Sequence, residues 1–153
     1  MDSLIRPLAS GEANDSARYE SSMAVDITAW VRDVKKRGSI ESCNCKQTGQ
    51  HFQDVHIELV PTKTTKSKKK ILVAELTPRL RNSIFNQLGM SMSNTALSNK
   101  IKGRQVRVEG WLMYDWEHEN DSVNSDPNED KGPKNRRATV WEIHPVTSLE
   151  LVP

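Results

Sequence analysis

Aromatic side chains are scarce, at 5% of the residues. No two of them stand as the paired stacking platform of an RNP-type sheet, which weakens recognition of single strands by stacking alone. Cysteine is nearly absent: Cys43 and Cys45 are the only two. A disulfide across one intervening residue is strained, and two thiols do not complete a zinc site. No apolar run is long enough to span a bilayer. The first fifteen residues, MDSLIRPLASGEAND, hold no apolar h-region, so they do not read as a signal peptide. That favours the cytoplasm, with export as the alternative if the chain has been trimmed. There is no Gly-rich phosphate loop, no GxSxG and no HExxH. A surplus of one charge sign is missing too. Net charge is +2, so overall basicity argues for no partner, and only local clusters of charge carry information.

What is present is periodicity. Residues 1–21 are small and polar and read as a disordered tail, leaving 22–153 as one domain. Val25, Ile27, Ala29 and Val31 alternate with Asp26, Thr28, Trp30 and Arg32, the pattern of a half-buried strand. A second strand spans 54–60, with Val55, Ile57 and Leu59 opposed to Asp54, His56 and Glu58. The run PTKTTKSKKK at 61–70 reads as a lysine-rich hairpin connection, followed by the apolar strand that begins at Ile71. Thr77 stands where an N-cap belongs, and Pro78 takes the first helical position. Leu80, Ile84, Phe85 and Leu88 then recur at helical spacing up to Gly89, which predicts a helix over 78–88. Residues 90–103 are polar with scattered apolar positions and predict no more than a short irregular turn. Residues 105–114 alternate cleanly, with Gly110 in mid-strand as the mark of a bulge or bend. A long loop over 115–137 is acidic first and basic later. The last strand covers 139–151, with Trp141 and Ile143 on one face, Glu142 and His144 on the other, and Pro145 as an edge or bulged position.

Three strands, one helix between strands 3 and 4, then two strands is the element order of the OB-fold, a five-stranded Greek-key barrel. The predicted class is therefore mainly β. The rival is an open sheet with the helix laid across it.

The segments GSIESCNC, DVHIELV, VAELTPRLR, VRVEGWLMYD and ATVWEIHPVTSLEL resemble a group of bacterial proteins of unassigned function, described as OB-fold-like and nucleic-acid-binding. The resemblance covers about residues 25–151, and its most distinctive parts are WEIHPV and the DxH strand. It implies a fold more than an activity. Some members resemble exported or lipid-anchored proteins, and this sequence departs from them in lacking an export signal.

In an OB-fold the ligand lies over strands 2 and 3, between the β1–β2 and β4–β5 loops. Lys35, Lys36, Arg37, Lys63, Lys66, Lys68, Lys69, Lys70, Arg136 and Arg137 are then expected to converge on phosphates, against the plainer reading of a solvated, solubilising turn. Trp111 is the main candidate stacking platform, with Trp30, Trp116 and Phe52 behind it, and Trp141 is expected in the core. Asp54, His56, Glu75, Glu142 and His144 form a second constellation. It suits a divalent metal or acid–base chemistry, with Cys43 and Cys45 as further ligand candidates, or else a hydrogen-bonded network tying the last strand to the second.

Three readings of function stay open. The first is a non-enzymatic module that binds nucleic acid mainly through phosphates and needs no cofactor. The second is a metal-dependent hydrolase, such as a nuclease, using Asp54, His56, Glu75 and His144. The third is a protein-interaction domain that recruits a partner through the 115–137 loop.

Overall fold

The computed structural model describes residues 19–36, 52–90, 93–123 and 135–153. Cys43, Cys45, Arg37 and most of the predicted N-terminal tail lie outside these residues, as does part of the 115–137 loop. Strands β1 (Ala24–Lys36), β2 (Val55–Val60), β3 (Leu72–Leu76), β4 (Gln105–Tyr114) and β5 (Trp141–Leu151) close into a barrel in the order β1-β2-β3-β5-β4. Neighbours are antiparallel except β3 and β5, which run parallel with Val73 opposite Glu142 and Ala74 opposite Ile143. The rival open sheet is excluded, because each of the five strands is paired on both sides.

Alternation decides which residues fill the barrel. Val25, Ile27, Ala29 and Val31 of β1 meet Val55, Ile57 and Leu59 of β2, and Val106, Val108 and Leu112 of β4, in one core. Tyr19, assigned by sequence to the tail, lies edge-on against Trp141 with ring centroids 6.1 Å apart.

Between β3 and β4 the single predicted helix becomes two, α1 (Pro78–Gln87) and α2 (Asn94–Ile101). Helix α1 begins at Thr77 with Pro78 as expected, although the Thr77 hydroxyl makes no capping hydrogen bond. Its end is a Schellman closure. Gly89 adopts φ 58°, its N–H donates to Asn86 O at 3.0 Å, and the Met90 N–H donates to Phe85 O at 3.0 Å. The reading of 90–103 as an irregular turn is corrected. Ser93 caps α2 by accepting from the Ala96 N–H at 3.3 Å, and Leu97 and Ile101, four apart, are buried. No described helix is long and apolar enough to cross a membrane.

Gly110 occupies the predicted irregularity, where the β4–β5 register slips. A Cβ there would lie 2.5 Å from Ile143 Cγ2 and 2.5 Å from the Pro145 carbonyl oxygen. Because the second neighbour is backbone, the barrel itself must shift. Gly110→Ala should therefore cost about 1–3 kcal/mol, read as a lower urea midpoint at unchanged m-value.

Candidate functional site

The polar face of β2 points outward but is not wet. His56 is 6% exposed and Glu58 8%, and the facing Glu75 of β3 and Glu142 of β5 are 5% and 1% exposed. They are covered by the β4–β5 connection, which forms a 3-10 turn over Trp116–Asp121 and returns through a parallel bridge between Ser122 and Arg137. The Ala138 N–H donates to Ile71 O at 2.8 Å and draws the returning chain against β3. Between cover and sheet lies a cleft of about 200 Å³, lined by Lys35, His56, Glu58, Ile71, Val73, His118, Asp121, Arg136 and Arg137.

Beside this cleft the predicted constellation is assembled. His56 sits across from Glu75 in the β2–β3 register, and its Nε2 meets Glu75 Oε1. His144 Nδ1 lies 3.1 Å from Glu75 Oε2 and 3.2 Å from Glu142 Oε1. Asp54, just before β2, completes a trio. One donor atom each from Asp54, Glu75 and His144 falls within 4.8 Å of the others.

Two guanidiniums flank the group. Arg81 of α1 donates to Gln53 O at 2.9 Å and feels the charge of Asp54. Arg137 donates from Nε to Ser122 Oγ at 3.2 Å and from Nη1 to Glu142 Oε2 at 3.2 Å, while Nη2 is bonded to Asp115. His118 Nδ1 lies 2.6 Å from the same Asp115 oxygen.

These environments displace the titrations. Burial pushes the Glu142 carboxyl up, and the neighbouring charges of Glu75 and Asp115 add to it against His144 and Arg137. Burial disfavours a charged His144. The hydrogen bond to Glu142 and the charges of Glu75, Glu142 and Asp54 outweigh that, and its pKa lies above the usual 6.5. Burial would also raise Asp115, but Arg137 and His118 hold it below the usual 3.8.

The predicted cations do not converge. Arg137 is buried and engaged with carboxylates, so its reading as a phosphate-binding surface cation is corrected. Arg136 is exposed and donates to Asp121 at 2.6 Å. Lys35 and Arg32 both bond Glu58. Lys68, Lys69 and Lys70 form an exposed 3-10 turn. Lys36 ends β1.

Lys63 and Lys66 line a separate groove of about 420 Å³ with Trp30, Arg32, Thr65 and Lys102. Trp30 pairs with Val60 and Lys35 with His56, so the groove and the acid–imidazole group lie toward opposite ends of β2. In the groove Lys63 Nζ stands 5.3 Å from the Trp30 ring centroid. Lys102 is held by Asp33 at 2.7 Å. Trp111 is 44% exposed on β4 and Trp116 70% exposed on the 3-10 turn, both outside the groove, while Trp141 is in the core as expected.

No protein-family model, curated protein or solved structure matches the chain.

The sequence reading named the acid and imidazole members but missed Asp115, Arg81 and Arg137 as their partners. Arg137 sits in a charged loop, where nothing local separates it from Arg136. The signal lies just after it: Ala138, Thr139 and Val140 are all fully buried, a small apolar run that starts before the predicted strand.

The two regions differ in chemistry. The first offers buried carboxylates and imidazoles, a setting hostile to phosphate but suited to holding protons or a cation. The second offers an indole face beneath an ammonium, with further cations at its rim.

Proposed function

We propose that the protein is a non-enzymatic OB-fold module that binds single-stranded nucleic acid in the Trp30 groove. The closed five-stranded barrel, in the order β1-β2-β3-β5-β4, is compatible with that fold, and oligonucleotides are a common ligand of the class. The observation that carries the reading is Lys63 Nζ 5.3 Å over the Trp30 ring. An arriving base takes the indole face, while the displaced ammonium moves onto the adjoining phosphate. Lys63 and Lys66 make no ion pair among the described residues, so neither must give up a carboxylate. The groove displaces the binding surface from the usual outer face of β2 and β3. Here that face carries Glu58 and Glu75, with Glu142 of the adjoining β5, and these carboxylates repel phosphate.

Fluorescence anisotropy with labelled single-stranded and duplex oligonucleotides at low salt tests this. Affinity should fall steeply with salt. Trp30→Ala should weaken single-strand binding by about 10-fold, within the range of one lost stacking contact. Lys63→Ala should lower the salt slope by about 1. No binding at tens of micromolar protein, or an unchanged affinity in Trp30→Ala, ends the proposal.

A further inference from the structure

We propose that Asp54, Glu75 and His144 hold a divalent transition-metal ion on the outer face of the barrel. The three come from separate parts of the fold: the lead-in to β2, the end of β3 and the middle of β5. Their donor atoms nevertheless lie within 4.8 Å of one another. Ligands at about 2.0–2.2 Å from an ion stand roughly 3–4 Å apart, so small side-chain rotations close the set. Asp54 is fully buried and Glu75 5% exposed, and the His144 side chain is 8% exposed. The trio is therefore a desolvated site rather than an acidic surface patch.

Charge supplies a second reason. Asp54, Glu75, Glu142 and Asp115 bring four carboxylates to this region, and Arg81 and Arg137 bring two permanent cations. Carboxylates thus outnumber permanent cations in a poorly solvated place, which favours a bound cation. His56 touches Glu75 and Glu142 touches His144, so two of the proposed ligands have polar partners that restrict their rotation.

One nitrogen and two carboxylate oxygens favour a borderline ion such as Zn²⁺ or Co²⁺ over Ca²⁺. The competing reading is a network complete in itself, in which protons on the imidazoles take the place of the ion.

The full chain, stripped with chelator and dialysed, is titrated with Zn²⁺ and with Co²⁺ near pH 8, where metal competes best with protons. About one equivalent should bind. The Co²⁺ complex should show d–d bands without a thiolate charge-transfer band. Asp54→Asn and Glu75→Gln keep side-chain shape and should each weaken binding at least 10-fold. The double variant Cys43→Ser/Cys45→Ser should bind as the wild type does. The wild-type spectrum requires no variant to fold. Absence of binding, a thiolate band, or loss of binding in the cysteine variant alone would overturn the proposal. None of these results bears on the Trp30 groove, whose oligonucleotide affinity is measured without metal.

Discussion

Arg137→Met should lower the unfolding free energy by about 3–5 kcal/mol, the cost of removing one partner from a buried ion pair. The guanidinium is 4% exposed and serves three acceptors at once, on Ser122, Glu142 and Asp115. Methionine fills similar space but leaves Glu142, 1% exposed, without its cation. The variant also loosens the cover, because the side-chain bonds from Arg137 to Ser122 Oγ and Asp115 are lost and only the backbone bridge to Ser122 and the Val123 N–H bond remain. Arg137→Lys should recover only part of the loss, since one ammonium cannot reproduce a fork bonded on three sides. Arg136→Met is the internal comparison. That side chain is 67% exposed and makes a single ion pair with Asp121, so the change should stay within about 1 kcal/mol. Denaturant melts of the three variants near pH 7 decide it; equal losses in Arg136→Met and Arg137→Met would show that burial of the pair contributes nothing.

The same pair makes the difference depend on pH, in a direction that follows from its carboxylates. The folded pKa of Asp115 is depressed below 3.8. Its contribution is thus fully present above the unfolded value and is lost as pH falls through the folded one. Glu142 is displaced the other way, and Arg137 is one of the groups that restrain the rise. Without Arg137 the Glu142 carboxyl accepts its proton more readily, so acid relieves the variant. Both effects have one sign. The gap between wild type and Arg137→Met should therefore narrow as pH falls, first above pH 4.5 through the raised titration of Glu142 and then below 3.8 through that of Asp115.

Sequence patterning carried the barrel because alternation is a local property. Each of β1 and β4 declares its inner face without reference to a neighbour, and Thr77, Pro78 and Gly89 bracket α1 within a dozen residues. Helix α2 escaped because it is short and buries only Leu97 and Ile101, too few positions to fix a period. The outer face escaped for a different reason. Asp54, His56 and Glu58 alternate with apolar residues as they would on a solvated strand. What buries them is a connection folded over from between β4 and β5, and no window around β2 contains it. Convergence of the lysine-rich turn with the acid–imidazole group was likewise beyond local reading. The two lie toward opposite ends of β2, as the pairings of Trp30 with Val60 and of Lys35 with His56 place them.

The second large effect belongs to the core. Phe85→Ala should cost about 3–5 kcal/mol, the transfer of a buried ring plus the cavity it leaves. Phe85 is 1% exposed and is the largest of the fully buried side chains. With Ile84 and Leu88 it carries α1 into the same core as the barrel strands. The helix has little freedom to slide into the gap. Its Schellman closure fixes one end, and Gln87 ties it to β5, with Nε2 donating to Ser148 Oγ at 3.2 Å. Incomplete collapse keeps the expected cost in the upper part of the range for core truncations. The exposed neighbour Asn86→Ala should change stability by less than about 0.5 kcal/mol. Trp30, Lys63 and Lys66 belong to β1 and the β2–β3 turn, away from α1. If the groove binds oligonucleotide as a surface on a preformed barrel, Phe85→Ala should keep the wild-type affinity under conditions where it is still folded. A large loss of affinity in the folded variant would mean instead that the helix helps to shape the groove, and that the barrel does not present it as a rigid surface.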